Sequence, residues 1–507
     1  MIKIKKINES FAKVFCDDDI SMNLAMAFST MAKGYEFDQR YLSGIWDGRI
    51  YNFSYSDDTI PLGLVYKLSK YLSYTLKQKV AVDADISVKC DSFSDEYIRK
   101  FVRETLKHTK YVPHDYQCRA VREMIYHRRI TIECATGSGK SFIMWIALCM
   151  IMVHYKGMIN KFLIIVPNVH LVTQLISEFN GYSRTGDFSE KYICNYRTKK
   201  HNLDNMIHIT NYQAIFRKGK KYFDQFDSIF ADECHNVSGS EIKNFAQCSL
   251  KCVNAVFKIG LCGYITDDKT LRLNCEGMFG PIKLIKRAHE LIEDGTLSPF
   301  KIVALTFRYK EDRRYQYYRW INDKDIKAVQ RFQKENDFLN AQTDRRAFIG
   351  KLAATRKGNT LILVKRKLTH GDLLYNEIKE RYPDKHVYYV HGGVDVSIRE
   401  QIRTFANDND NVIIIATIKT FSEGIDIKNL HNVILAELTK AEIALIQMIG
   451  RALRKNDNKD MAIFYDLSDD LRLSTNHEYN YALKHLLARV SIYEQSKFDY
   501  ETTHYDL

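Results

Sequence analysis

Short runs of consecutive apolar, largely β-branched residues recur along the chain, separated by stretches of helical character. They occupy positions 130–132, 162–166, 228–231, 257–261, 360–364, 412–416 and 433–436. Strands that are apolar throughout, alternating with helices, predict parallel sheet covered on both faces. Polar or glycine-containing segments follow many of these runs, and in open α/β sheets ligands bind beyond the carboxyl ends of the strands. The longest apolar run, 142–153, is too short to span a bilayer and predicts a buried helix.

The pattern divides into two blocks, about 100–300 and 300–480. They are separated by the turn-rich Glu293-Asp294-Gly295-Thr296-Leu297-Ser298-Pro299. Residues before about 95 read differently: a helix near 22–31, then 35–53 with a turn at Asp47-Gly48. Tyr481, Leu483, Leu486 and Leu487 predict a helix near the end of the chain, packing on the second block. The expected fold class is therefore α/β, two parallel-sheet domains in tandem with a small N-terminal α+β domain. The expected boundaries are 1–95, then 96–298, then 299–507 with C-terminal helices.

Composition narrows the class. The 507 residues are 45% apolar and 27% charged, which is globular. Lys plus Arg number 75 against 62 Asp plus Glu, a net charge of +13. That excess suits a polyanionic partner such as nucleic acid, although a merely soluble basic protein fits it equally well. Eleven cysteines, none beyond Cys275 and none in a CxxC pair, argue against a zinc ribbon. With no apolar leader in Met1-Ile2-Lys3-Ile4-Lys5-Lys6, reduced thiols in a cytoplasmic setting are expected, and a membrane-spanning protein is not.

Three segments carry chemistry. Cys134-Ala135-Thr136-Gly137-Ser138-Gly139-Lys140-Ser141 follows a strand and opens a helix. Its glycines let backbone N–H groups close around phosphate oxygens, and the helix N-terminus favours an anion. Lys140 is placed to reach the β- and γ-phosphates and Ser141 to hold Mg²⁺. Cys134 stands where the phosphate-loop pattern has its first glycine, and a glycine-rich turn is the structural alternative. Asp232-Glu233-Cys234-His235 follows the run ending at Ala231. Asp232 suits the metal role and Glu233 the orientation or deprotonation of water. Gln447, Arg451 and Arg454 fall near one helical face, from which the arginines can reach a γ-phosphate. A solvated basic face is the alternative reading of that helix.

Together these segments resemble motifs I, II and VI of superfamily 2 helicases and translocases. Tyr116-Gln117 resembles the adenine-contacting segment, positions 167–174 motif Ia, and Thr210-Asn211-Tyr212-Gln213 motif Ib. Gly260-Leu261-Cys262-Gly263-Tyr264 stands at motif III, without the Ser-Ala-Thr form of DEAD-box enzymes. Thr420-Phe421-Ser422-Glu423-Gly424-Ile425-Asp426 resembles motif V. The resemblance implies two RecA-like domains, ATP and Mg²⁺ as cofactors, and nucleic acid lying across both domains. It implies nucleotide contacts from Gln117, Thr136, Gly137, Ser138, Gly139, Lys140, Ser141, Gly424 and Asp426. It implies metal binding by Ser141 and Asp232, partly through water, and catalysis by Lys140, Asp232, Glu233, Arg451 and Arg454.

A narrower resemblance, to phage recombination helicases, rests on further segments. These are Gly34-Tyr35, Trp46-Asp47-Gly48-Arg49-Ile50, Pro61-Leu62-Gly63-Leu64, Gly277-Met278-Phe279-Gly280 and Ile425-Asp426-Ile427-Lys428-Asn429-Leu430-His431. It implies an ATP-driven motor on branched or forked DNA, moving Holliday junctions, regressing forks and unwinding R-loops, with RNA–DNA hybrid among its substrates. It places the work in recombination and repair, in the host cytoplasm. The alternatives are an RNA helicase and a nucleic-acid binding or annealing protein with a vestigial ATPase.

Weaker features remain. Arg308 to Trp320 interleaves aromatic and basic residues, which fits base stacking but fits a half-buried helix slightly better. Arg217-Lys218-Gly219-Lys220-Lys221 and Lys365-Arg366-Lys367 are candidate backbone contacts. Trp46 is expected in the core. Arg40 and Arg49 are candidate duplex contacts. His235 is expected to link the ATP site to the second domain by hydrogen bonding rather than to bind metal.

Overall fold

The seven short apolar runs named above are strands, and they lie inside two seven-stranded sheets. The computed structural model describes residues 1–86, 88–90, 92–104, 111–183, 186, 188–195, 204–235, 241–322, 328–422, 427–439, 445–446, 448–450, 461–474 and 476–507, and every structural statement concerns these. They form two compact units, Met1–Lys286 and Arg287–Leu507.

In the first unit the strand order is Ile282–Lys286, Arg129–Cys134, Phe257–Cys262, Ser228–Ala231, Phe162–Val166, Ile207–Asn211, Ile193–Asn195. All neighbours pair in parallel. Phe162–Val166 is buried at every position, as a strand between two helical layers must be. The expected buried helix runs Lys140–His154, with Phe142 through Ile151 buried.

The second unit repeats the design. Its order is His386–Val390, Val412–Thr417, Thr360–Val364, Asn432–Leu435, Ala462–Asp470, Phe300–Arg308, Tyr500–Asp506, again all parallel. Ala462–Asp470 buries three acidic residues. Asp466 takes Arg489 at 2.8 Å and the Tyr493 hydroxyl at 2.7 Å. Asp469 takes Arg345 at 3.0 Å and the Tyr309 hydroxyl at 2.7 Å. The expected C-terminal helix is Tyr481–Gln495, with Leu483 and Leu486 buried but Leu487 exposed. The chain then closes on an edge strand, Tyr500–Asp506, where only helix was expected.

The N-terminal region is α+β. Its four-stranded sheet has the order Thr59–Pro61, Phe11–Phe15, Ile2–Lys6, Val80–Val82. Ile2, Ile4, Ala12, Val14 and Ile60 pack on Leu24, Leu68 and Leu72. The helix expected near 22–31 starts earlier, as Asp18–Ala27. Its last residues instead form Ser29–Met31, which pairs with Arg49–Tyr51 across the segment containing Asp47-Gly48.

This small domain is bolted to the first seven-stranded sheet at two places. At the first, Glu9 N–H donates to the Val253 carbonyl at 2.9 Å, and Lys258 Nζ donates to Ser10 Oγ at 2.6 Å. At the second, Pro61-Leu62-Gly63-Leu64 lies on the helix Lys269–Phe279. A Cβ on Gly63 would collide with the Glu276 carbonyl oxygen and stand 2.9 Å from Gly277 O and Gly280 N. Asn52 bonds Asn274 at 3.0 Å, Thr270 bonds Thr30 at 2.8 Å, and Lys67 pairs with Glu276.

Candidate functional site

The phosphate-loop segment leaves the strand Arg129–Cys134 at its carboxyl end. Gly137 and Gly139 adopt φ of +87° and +76°, conformations that side chains rarely adopt. Gly139 caps the fifteen-residue helix that begins at Lys140. The loop is braced from the helix Asp115–His127. The Tyr116 hydroxyl and Gln117 Nε2 both donate to the Ser138 carbonyl at 2.9 Å, while Gln117 Oε1 accepts from His114 N–H at 3.0 Å. Gln117 is buried, with both ends of its amide bonded to backbone. Ser141 Oγ lies 2.8 Å from the Tyr182 hydroxyl.

The acidic segment sits two strands away and is fixed by backbone bonds to both its neighbours. Asp232 N–H donates to Ile165 O, and Cys234 N–H to Leu261 O, each at 2.9 Å. Between them Glu233 is held at φ +49°, a left-handed conformation that costs a non-glycine residue of order 1 kcal/mol. This turn presents Glu233 Oε1 at 3.7 Å from Lys140 Nζ. Burial raises the Asp232 carboxyl to about 7, helped by the neighbouring Glu233 charge and opposed by Lys140. Burial opposes the Lys140 charge, but Glu233 and Asp232 outweigh it and hold the ammonium above its ordinary value. His235 Nδ1 lies 3.3 Å from Glu233 Oε2, and burial pushes its imidazole below the ordinary value against that carboxylate's pull.

The motif III segment touches the same centre. A Cβ on Gly263 would stand 2.9 Å from Thr136 Oγ1 and 3.4 Å from Lys140 Nζ. Lys140, Asp232, Glu233, Thr136 and the loop glycines thus converge at the carboxyl ends of adjacent parallel strands. Among the described residues, no cluster of three or more His, Cys, Asp or Glu is arranged to hold a metal by itself. Mg²⁺ is usually held by one or two carboxylates with substrate phosphates and water. The half-buried, mutually repelling carboxylates Asp232 and Glu233, with the hydroxyl of Ser141 at the start of the phosphate-loop helix, are donors of the kind that ion takes.

Arg451 and Arg454, with Gln447, and the motif V residues Gly424 and Asp426 lie outside the described residues. Tyr116, Tyr182 and Gly263 were not singled out for these contacts by sequence. Tyr116 carried a signal, being next to Gln117, whereas Tyr182 lies 41 positions from Ser141 and carried none.

The weaker candidates separate. In the Arg308–Trp320 stretch, Tyr309 and Tyr317 are buried, and Arg314 is spent on the carbonyls of Tyr309, Arg472 and Leu473. Tyr315, Tyr318 and Arg319 remain exposed. Lys365 and Lys367 are exposed past the strand Thr360–Val364, while Arg366 pairs with Asp337. The basic residues of 217–221 are exposed, with Lys220 paired to Asp224. Trp46 is half-buried rather than core, its Nε1 donating to Arg49 O at 2.9 Å and its ring 5.0 Å from the Arg40 guanidinium. No described helix is long and apolar enough to cross a membrane.

Two parallel sheets in tandem, the first carrying a phosphate loop facing an acidic strand end, define the class: a superfamily 2 helicase with two RecA-like domains. Family profiles match at three places: the N-terminal domain of DNA helicase UvsW at residues 1–83, the res subunit of type III restriction enzymes at 110–267, and the helicase conserved C-terminal domain at 344–456. The ATP-dependent DNA helicase uvsW of Enterobacteria phage T4 is 32% identical over 98% of this chain and 98% of its own length. The crystal structure of T4 UvsW aligns over 100% of this chain and 99% of its own, with TM-score 0.50 and 29% identity. A DNA-bound type ISP restriction-modification enzyme, LlaBIII, shares the fold at TM-score 0.56 and 14% identity, over 86% of this chain and 34% of its own. The chain belongs to the UvsW family of helicases.

Proposed function

We propose that this protein is an ATP-dependent DNA helicase that works on branched or forked DNA in recombination and repair, inside the host cell. Branch migration of Holliday junctions, fork regression and R-loop unwinding are the activities we assign to it, the last involving RNA–DNA hybrid. The observation that carries this reading is Lys140 Nζ, at the start of the phosphate-loop helix, set 3.7 Å from Glu233 of the half-buried Asp232–Glu233 pair. The family relationship over nearly the whole chain supports DNA over RNA as the track.

The roles follow from position. Backbone N–H groups of Thr136 to Ser141 receive the phosphates, and Lys140 turns from Glu233 to the β- and γ-oxygens. Ser141 and Asp232 hold Mg²⁺, partly through water, and Mg²⁺ when bound neutralises charge on the phosphates. Glu233, released from Lys140, orients and deprotonates the attacking water. Catalysis is further assigned to Arg451 and Arg454, and nucleotide contacts to Gly424 and Asp426. Gln117 braces the loop through Ser138, and reads adenine with its remaining hydrogen-bonding capacity. We divide the chain functionally at 1–95, 96–298 and 299–507.

The test is ATP turnover with no nucleic acid, single-stranded DNA, duplex DNA, four-way junction DNA and RNA. We expect strong stimulation by junction or forked DNA and loss of turnover in Lys140→Ala. Stimulation by RNA alone would replace the reading with the RNA class. Tight binding without any turnover would replace it with an annealing protein.

A further inference from the structure

The outer face of the N-terminal sheet is built against its own stability. Lys5 stands directly opposite Lys13 across the antiparallel pair Ile2–Lys6 and Phe11–Phe15. Lys3 follows on the same face, opposite Phe15 on one side and Ala81 on the other. Thr59 is opposite Lys13 on the far strand. Like charges directly opposite one another destabilise a strand pair. The alternation of the strands asks only for polar residues at these positions, and none of the strand residues on this face is acidic. The acidic run Asp17-Asp18-Asp19 leads into the helix that packs on the other face.

Phe15 sits among these lysines, 47% exposed. The ammonium groups of Lys5 and Lys13 lie 5.6 and 5.8 Å from its ring centroid. The core does not need this ring, because Ile2, Ile4, Ala12 and Val14 fill the opposite face. At one end of the face, Pro61, opposite Phe11, is covered by the motor helix at Gly277. Elsewhere Lys3, Lys5 and Phe15 are exposed.

A solvent-facing ring among three unneutralised lysines has the chemistry of a single-strand platform: cations for phosphates and a π-face for a base. A paired base inside a duplex does not offer its face to such a ring. We propose that Lys3, Lys5, Lys13 and Phe15 bind an unpaired stretch of the DNA substrate, the lysines on its phosphates and Phe15 under one base. This rests on DNA being the substrate. Because the domain is bolted to the first motor sheet at Ser10–Lys258 and Gly63–Glu276, a strand held here is carried with that sheet.

The test is fluorescence anisotropy of labelled oligo-dT with the full-length protein, without nucleotide, across a salt series. Single-strand binding loses about 0.7 in log K per log salt for each phosphate contact. Lys3→Gln/Lys5→Gln/Lys13→Gln is therefore expected to flatten the slope by about 2, and Lys3→Gln/Lys5→Gln by about 1.4. Replacement of all three by arginine is expected to retain the slope. Phe15→Ala is expected to weaken binding about tenfold at fixed salt, the equivalent of ~1.4 kcal/mol for one stacked base, and to leave the slope alone. Melting temperatures report that the variants fold, and the double variant avoids the half-buried Lys13. An unchanged slope in the triple variant, or unchanged affinity in Phe15→Ala, overturns the proposal. If the variants differ in binding as expected but the unmodified protein shows no DNA-stimulated ATP turnover, the motor reading fails and the platform stands.

Discussion

Lys258 is the buried charge whose removal has the clearest consequence. It lies on the interior strand Phe257–Cys262, fully buried, donating to Ser10 Oγ at 2.6 Å and to the Ser249 carbonyl at 2.9 Å. Burial pushes its ammonium down to about 7 from an ordinary 10.5, and the nearby Arg129 charge adds to the fall. The difference of about 3.5 pH units corresponds to about 5 kcal/mol at 1.36 kcal/mol per unit. The sign is fixed by which state binds the proton. Above pH 10.5 both states are neutral and nothing is lost. As pH falls from 10.5 to 7 the unfolded chain takes up a proton that the folded chain refuses, so stability falls by about 1.4 kcal/mol per unit. Below 7 the loss is complete and constant. Lys258→Met keeps the length and apolar stem but leaves Ser10 and Ser249 without their donor, a cost of about 1–3 kcal/mol per group. The variant is therefore expected to match or exceed the natural protein near pH 7 and to fall behind it near pH 10. The assay is urea unfolding of the first unit at pH 7.5, 8.5 and 9.5. A stability difference between the two proteins that does not change with pH would refute the reasoning.

Three other substitutions test separate parts of the structure. Gly139→Ala forces a side chain into φ +76° and to 2.7 Å from Gln117 Nε2, so nucleotide binding by calorimetry is expected to drop at least tenfold while the melting temperature changes little. Gly63→Ala drives a Cβ into the Glu276 carbonyl, and faster proteolysis between the N-terminal domain and the motor sheet is expected, with far-UV circular dichroism preserved. Arg345→Met strands Asp469 in the core of the second sheet; a loss of about 3–5 kcal/mol in denaturant unfolding is expected, and a loss under 1 kcal/mol would show the pair to be dispensable.

The strands legible in sequence were those whose burial is written in apolar side chains alone. Phe162–Val166 and Thr360–Val364 need nothing else. Ala462–Asp470 is just as central but was missed, because its interior position depends on Arg489 and Arg345 arriving from distant helices to neutralise Asp466 and Asp469. His386–Val390 was missed for a different reason: it is an edge strand, half-covered, with two tyrosines that read as surface. Tyr500–Asp506 is exposed almost throughout, so no burial pattern marks it, and its pairing with Phe300–Arg308 is a backbone matter.

The candidate site divides along the same line. Phosphate chemistry is written locally, since a loop that closes on an anion needs its glycines and lysine within a few residues, and so Gly137, Gly139 and Lys140 were readable. What supports that loop is not local: Tyr182 reaches Ser141 from another helix, and Gly263 leaves room for Thr136 and Lys140 only because it lacks a side chain. The N-terminal motifs obey this logic from the other direction. Pro61-Leu62-Gly63-Leu64 and Gly277-Met278-Phe279-Gly280 look unrelated in sequence and carry no chemistry of their own. In three dimensions a Cβ on Gly63 would run into the Glu276 and Gly277 carbonyls, and a Cβ on Gly277 would stand 3.3 Å from Pro61 Cβ, so each motif is the socket of the other. The helix that carries the second motif begins five residues after Tyr264 of the motif III segment. A displacement of Gly263 by nucleotide therefore has a short, packed path to the N-terminal sheet, and Gly63→Ala should lower the coupling of ATP turnover to DNA more than turnover itself. Equal loss of DNA-free and DNA-stimulated turnover in that variant would show that the docked helix holds the domain in place without transmitting anything through it.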